Sequence, residues 1–109
     1  MSARPQERIT RNLVVARWGT PQVTVGSVNE PREMEEHGQR FNEKWVYRNP
    51  TGDPSVRERT IYWHRYDYVA SSVVDASGRL ERENPHALLL GLNDRGYRPE
   101  ARSVAPAAR

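Results

Sequence analysis

The stretch TIYWHRYDYVAS, Thr60 to Ser71, sets Tyr62, Trp63, His64, Tyr66 and Tyr68 within seven positions of a chain that has nine aromatic residues in all. Alternation by two puts Thr60, Tyr62, His64, Tyr66 and Tyr68 on one face of an extended strand and Ile61, Trp63, Arg65, Asp67 and Val69 on the other. The residues that follow, DASG, predict a tight turn with Gly78 at the position that needs positive φ. RLERE then returns as a partner strand. Upstream, NEKWVYRN reads as a strand because Trp45, Val46 and Tyr47 favour extended backbone, and NPTGDP ends it. These segments together predict a three-stranded antiparallel meander.

A sheet of three strands is not stable with both faces in water, so rings of the aromatic stretch are expected to form its core against helices. Two short helices are available. In RITRNLVVARWGTPQ, the residues Ile9, Leu13, Val14 and Ala16 have helical spacing, Thr10 offers an N-cap hydroxyl, and Gly19 offers a left-handed end before Pro21. The expected span is Thr10 to Trp18. In NPHALLLGL, Asn84 caps and Pro85 opens a second helix. Between the first helix and the first strand, Val23 to Phe41 reads as a loop with a helical turn on which Met34, His37 and Phe41 share a face. The expected class is α+β: a short N-terminal helix, a three-stranded antiparallel meander, a short C-terminal helix and a disordered tail. Residues 1–8 are expected to be flexible, 9–97 to form a single domain and 98–109 to be a disordered tail, since YRPEARSVAPAAR has little to bury.

Composition narrows the chemistry. With 36% apolar and 28% charged residues over 109 positions, the chain has room for one modest core. Its net charge of +3 comes almost wholly from arginine, Lys44 being the sole lysine. Guanidinium groups fork onto carboxylates and phosphates and stack on rings, which suits acidic or aromatic partners. Cysteine is absent, which excludes disulfides, thiolate nucleophiles and cysteine-bound zinc within these residues. No apolar run is long enough to span a bilayer, and MSARPQERIT lacks the apolar core of a signal peptide, so a cytoplasmic location is expected for the chain as written, or a periplasmic one if a leader has been removed. His37, His64 and His86 lie on three segments without a short ligand pair, so no metal or other cofactor is expected. Ser71 or Ser72 with His64 and Asp67 supply the residue types of a nucleophilic triad but none of its surrounding motif. No catalysis is expected.

The order of these motifs resembles the BamE family (SmpA/OmlA domains) of small bacterial envelope proteins. Thr10, Val14, Ala16, Gly19, Thr20 and Pro21 match that family's capped helix ending in Gly-Thr-Pro or Gly-Glu-Pro. Trp45, Val46 and Tyr47 match its Trp-x-Tyr strand, and Asp75, Gly78, Arg79 and Leu80 match its hairpin turn. The likeness spans roughly Ile9 to Glu83 and implies a module that docks on other proteins. The expected partner is accordingly another protein, with homodimerisation open, through Tyr62, His64, Arg65, Tyr66, Tyr68 and Arg79. The alternative is a small RNA- or single-stranded-DNA-binding protein that uses Tyr62, Tyr66 and Tyr68 with Arg59, Arg65 and Arg79, because exposed rings beside arginine stack bases. Which face of the aromatic strand is buried stays open at this stage.

Overall fold

The computed structural model describes residues 8–93. The segments expected to be flexible or disordered, 98–109 and all but the last residue of 1–8, lie outside the described residues. The chain forms α1 (Arg11–Trp18), β1 (Val23–Gly26), β2 (Met34–Glu36), β3 (Gln39–Phe41), β4 (Glu43–Arg48), β5 (Val56–His64), β6 (Asp67–Asp75), β7 (Leu80–Glu83) and α2 (Pro85–Leu92). Five strands make one antiparallel sheet in the order β1-β4-β5-β6-β7, and β2 with β3 forms a separate hairpin. The expected three-stranded meander is therefore corrected: the protein is mostly β, with two short helices.

Both helices begin and end where local chemistry places them. The Thr10 hydroxyl accepts from the Leu13 N–H and Gly19 closes α1 at φ 77°, its N–H donating to the Val15 carbonyl. The Asn84 side chain accepts from the Ala87 N–H at 2.8 Å, with Pro85 in the first turn of α2. Both helices cover one face of the sheet. There Val14, Trp18, Leu88 and Leu92 pack on Trp45, Tyr47, Ile61 and Trp63. The rings meet edge to face, Trp45 with Trp63 at 5.0 Å and Trp18 with Tyr47 at 5.2 Å between centroids. The Tyr47 hydroxyl donates to the Gly19 carbonyl at 2.6 Å, which pins the C-terminal end of α1 to β4.

Two segments fold differently from expectation. The stretch Thr60 to Val69 is not one strand. It is a hairpin whose two-residue loop is Arg65 and Tyr66, with His64 paired to Asp67 across it. Arg65 has φ 59°, a conformation usually left to glycine, and no glycine marks the turn. Its cost is offset by tertiary bonds: the Arg65 N–H donates to Asn42 Oδ1 at 2.7 Å, and its guanidinium to the Val28 carbonyl at 2.7 Å. The second correction concerns Val23 to Phe41, where β1 and the β2–β3 hairpin replace the expected loop and helical turn. Met34 and Phe41 do share a face, as paired residues of a ladder, while His37 and Gly38 form the turn with φ of 53° and 81°.

That hairpin covers the face of the sheet opposite the helices, at one end, where Phe41 packs against Tyr62 and Ala70 with Met34 and Val69 beside them. A register shift between Tyr62 and Trp63 leaves Val69 as an extra residue in β6. The period of two is broken at that point. Tyr62 faces the hairpin, whereas Tyr68 meets the edge of Trp63 on the helix side at 6.3 Å.

Candidate functional site

The β5–β6 turn projects Tyr66 into solvent at 69% exposure, the largest exposure among the sizeable apolar side chains of the described residues. Its ring does not stand alone. The Arg11 guanidinium, at the start of α1, lies 5.8 Å from the Tyr66 centroid, 5.6 Å from Trp63 and 4.7 Å from Trp45. Glu43 fixes that guanidinium through an ion pair, and the same carboxylate accepts from Trp45 Nε1 at 2.8 Å. Glu43 is itself buried, because the alternation Glu43, Trp45, Tyr47 points all three at the helices. A charge there needs a partner, and Arg11 supplies it. An open groove of about 320 Å³ runs beside the ring, lined by Thr10, Arg11, Asn12 and Tyr66.

The other expected contact residues are distributed over the molecule. Tyr62 is 1% exposed and its hydroxyl donates to Glu36 Oε1 at 2.7 Å, so it is withheld from any surface. Burial first, and then the neighbouring carboxylate, push that hydroxyl well above its ordinary pKa of 10.0. Tyr68 is half-buried and shares a hydrogen bond with Ser71 at 3.2 Å. Burial raises its pKa too. His64 Nε2 lies 2.7 Å from Glu33 Oε2 at the surface. Arg65 shares the turn with Tyr66 and ties it to the Val28–Glu30 backbone. Arg79 is in the β6–β7 turn, its N–H on Asp75 Oδ1 at 3.0 Å. That turn and the Arg65–Tyr66 turn are at opposite ends of the nine-residue β6, roughly 25–30 Å apart at strand rise.

The nucleic-acid set does not form one surface. Arg59 is 6% exposed on the helix face, where its Nη2 donates to Glu83 Oε2 at 2.6 Å and its guanidinium lies 5.4 Å over the Trp18 ring. Glu83 also accepts from the Ser71 hydroxyl at 3.0 Å. Nε and Nη1 of Arg59 meet no acceptor among the described residues. Ser71, Tyr68, Glu83 and Arg59 thus form a buried polar chain under α2, and the Ser71 hydroxyl is committed to a carboxylate and a phenol, away from His64. Among the described residues no group of three or more His, Asp or Glu side chains is placed to hold a metal ion, and no helix is long and apolar enough to cross a membrane.

The chain was compared with family models, curated proteins and solved structures. It matches none of them. The resemblance to the BamE family therefore rests on its motifs, and each of these has a visible structural duty here. Thr10 and Gly19 cap α1, Trp45 and Tyr47 fill the core, and Asp75 with Gly78 makes the turn before β7. The strands β1, β2 and β3 fall outside the order of elements that the resemblance supplies.

Arg11 and Glu43 went unmarked in the sequence, though a signal for them was present. Period two carries Glu43 onto the face of Trp45 and Tyr47, and Arg59 onto that of Ile61 and Trp63, so each predicts a buried counter-charge. Which arginine answers Glu43 is set by how α1 crosses the sheet, and which glutamate answers Arg59 by the strand order that places β7 beyond β6.

Proposed function

We propose that the protein is a small non-catalytic protein-interaction module that docks through Tyr66. The observation that carries the reading is an exposed ring held in a fixed place. Tyr66 stands at 69% exposure on a turn whose backbone is bonded to Asn42 and whose flank is the Arg11 guanidinium. A rigid aromatic anchor gives contact area at small entropic cost, and arginine beside it adds directed hydrogen bonds. Arg65 and Asn12 complete a rim for a partner with an apolar pocket and acceptor groups around it. The role that the BamE resemblance implies, docking on other proteins, points the same way.

The test is site-specific photo-cross-linking in cells, with a benzophenone amino acid at position 66 and, as control, at the exposed Ala76. A discrete cross-linked protein band at 66 and none at 76 is the expected outcome, and Tyr66→Ser should weaken capture of that same partner while leaving the melting temperature within a few degrees. Identical band patterns at both positions, or none at either, would overturn the reading.

A further inference from the structure

Among the described residues, the outer edge of β1 is left unpaired. In the order β1-β4-β5-β6-β7 the two edge strands are β1 and β7. They differ in chemistry. The β7 sequence LERE carries charges at Glu81, Arg82 and Glu83, and Arg79 pairs with Glu81 along it, which is how natural sheets discourage edge pairing. From Thr20 to Asn29, TPQVTVGSVN, there is no charged residue, in a chain of which 28% is charged. Nor does β1 contain a proline or a bulge, since its register with β4 runs unbroken from Val23↔Val46 to Gly26↔Glu43.

The direction of its free groups follows from the ladder. The Asn49 N–H donates to the Arg57 carbonyl at 2.8 Å, so Glu43, Trp45 and Tyr47 of β4 bond towards β5, and Lys44 and Val46 towards β1. The Ser27 N–H on the Asn42 carbonyl at 3.0 Å agrees with that parity, which ends before Gln22, whose N–H turns in to the Val46 carbonyl at 3.1 Å. Val23 and Val25 therefore spend their N–H and C=O on β4, while those of Thr24 point outwards. Among the described residues no other element pairs with them. The strand is also its own complement: Val-Thr-Val reads the same in both directions about Thr24.

We propose that β1 is a dimerisation edge, pairing antiparallel with β1 of a second copy about a two-fold axis at Thr24, so that two five-stranded sheets join into one. Thr24 then faces Thr24 of the second copy and exchanges both backbone bonds with it, and Val23 faces Val25. A second copy fits better than a foreign peptide because Thr20 to Asn29 offers no charge that would select one, whereas its own sequence matches in the two-fold register. That symmetry is closed, so association stops at two; pairing β1 with β7 would be head-to-tail and would meet the charges of Glu81 and Arg82. The contact is short. A small interface of this kind is transient, so association is expected only towards high chain concentration. This inference stands apart from the Tyr66 reading.

Sedimentation of the full chain from about 5 to about 500 μM should show a concentration-dependent rise from the 12.6 kDa monomer towards twice that mass. Because the chain has no cysteine, Thr24→Cys places one thiol on the axis. A bonded antiparallel pair sets its Cα atoms about 5.5 Å apart, inside the range of about 4.4–6.8 Å that a disulfide spans, so oxidation should give a covalent dimer that a reductant dissolves. Leu80→Cys, on the other edge, should stay monomeric. Thr24→Pro removes only the outward N–H and should be monomeric throughout with a native circular dichroism spectrum. Should that variant lose its fold, Thr24→Lys decides, since it sets like charges opposite each other across the axis. A wild-type chain that stays monomeric at the highest concentration, with or without an extended peptide bound at β1, overturns the proposal. So does a dimer that survives Thr24→Lys, or equal cross-linking from position 80.

Discussion

Replacing Gly91 by alanine should destabilise this protein, the reverse of what the same change does in an ordinary exposed helix. There, alanine in place of glycine gains about 1 kcal/mol through helix propensity. In α2, a Cβ on Gly91 would lie 2.5 Å from Arg59 Nη1 and 3.2 Å from its Cζ, with Thr51 Cγ2 also at 3.2 Å. A free arginine would swing aside. Arg59 is not free, because its Nη2 is held by Glu83 at 2.6 Å and the two side chains are only 7% and 6% exposed. Making room for the methyl means pulling the guanidinium off a buried carboxylate, and separating a buried pair costs about 3–5 kcal/mol. The penalty exceeds the propensity gain, which leaves a net loss of about 2–4 kcal/mol. At about 4–8 °C per kcal/mol for a domain of this size, the melting temperature should fall by roughly 8–32 °C. Urea denaturation of wild type, Gly91→Ala, the Arg59→Ala/Glu83→Gln double variant and the triple variant closes a cycle. Without the ion pair, Gly91→Ala should become neutral or stabilising by up to about 1 kcal/mol, for a coupling of at least about 2 kcal/mol. The reasoning is refuted if Gly91→Ala stabilises the wild-type chain, or if it costs the same in both backgrounds.

Three further outcomes can be measured in the same way. Trp45→Ala should cost about 3–5 kcal/mol, since it removes a buried ring packed on Trp63 and takes a donor from Glu43; an unchanged urea midpoint would show that the core does not depend on it. Gly26→Ala puts a Cβ 2.2 Å from the Asn42 carbonyl oxygen at φ +76°, so a loss of at least about 1–3 kcal/mol is expected, and a thermal melt matching wild type would contradict it. The third concerns pH. Burial opposes the charge of the Glu36 carboxyl, but hydrogen bonds from Tyr62 and Lys44 outweigh it and hold the group below its ordinary 4.5. A carboxyl lowered in the folded state stabilises the protein above its unfolded pKa and loses that contribution as pH falls through the folded one. Glu36→Gln should therefore be less stable than wild type at neutral pH, and the gap should narrow as pH falls below the ordinary carboxyl value of 4.5; an equal gap in strong acid would exclude the linkage.

Most element ends were legible in the chain because the groups that make them are neighbours in sequence. Thr10, Gly19 and Pro21 bound α1, Asn84 and Pro85 open α2, and Asp75 with Gly78 turns β6 into β7; each is a bond or a φ preference that acts within four residues. The NEKWVYRN strand and the burial of Trp45 belong with these, since the period of two and ring hydrophobicity need no distant partner to be read.

Tertiary structure decided what those local signals left open. The Arg65–Tyr66 turn carries no glycine, and its positive φ is sustained by Asn42 and Val28, residues 23 and 37 positions away. The aromatic stretch thus splits into two strands, and the extra residue Val69 reverses the alternation between Tyr62 and Tyr68. One tyrosine goes under the β2–β3 hairpin, one against the helices and one into water, where an alternation along a single strand would have kept them together. The strands β1, β2 and β3 were hidden for a related reason. Short strands between polar residues gain little from propensity and form because β4 and Tyr62 offer them a ladder and a surface. The pairing of Arg11 with Glu43 depends on how α1 lies across the sheet, and that of Arg59 with Glu83 on the order and register that set β5 and β7 on either side of β6. Period two can demand a counter-charge for each buried residue, but only packing in three dimensions chooses which one arrives.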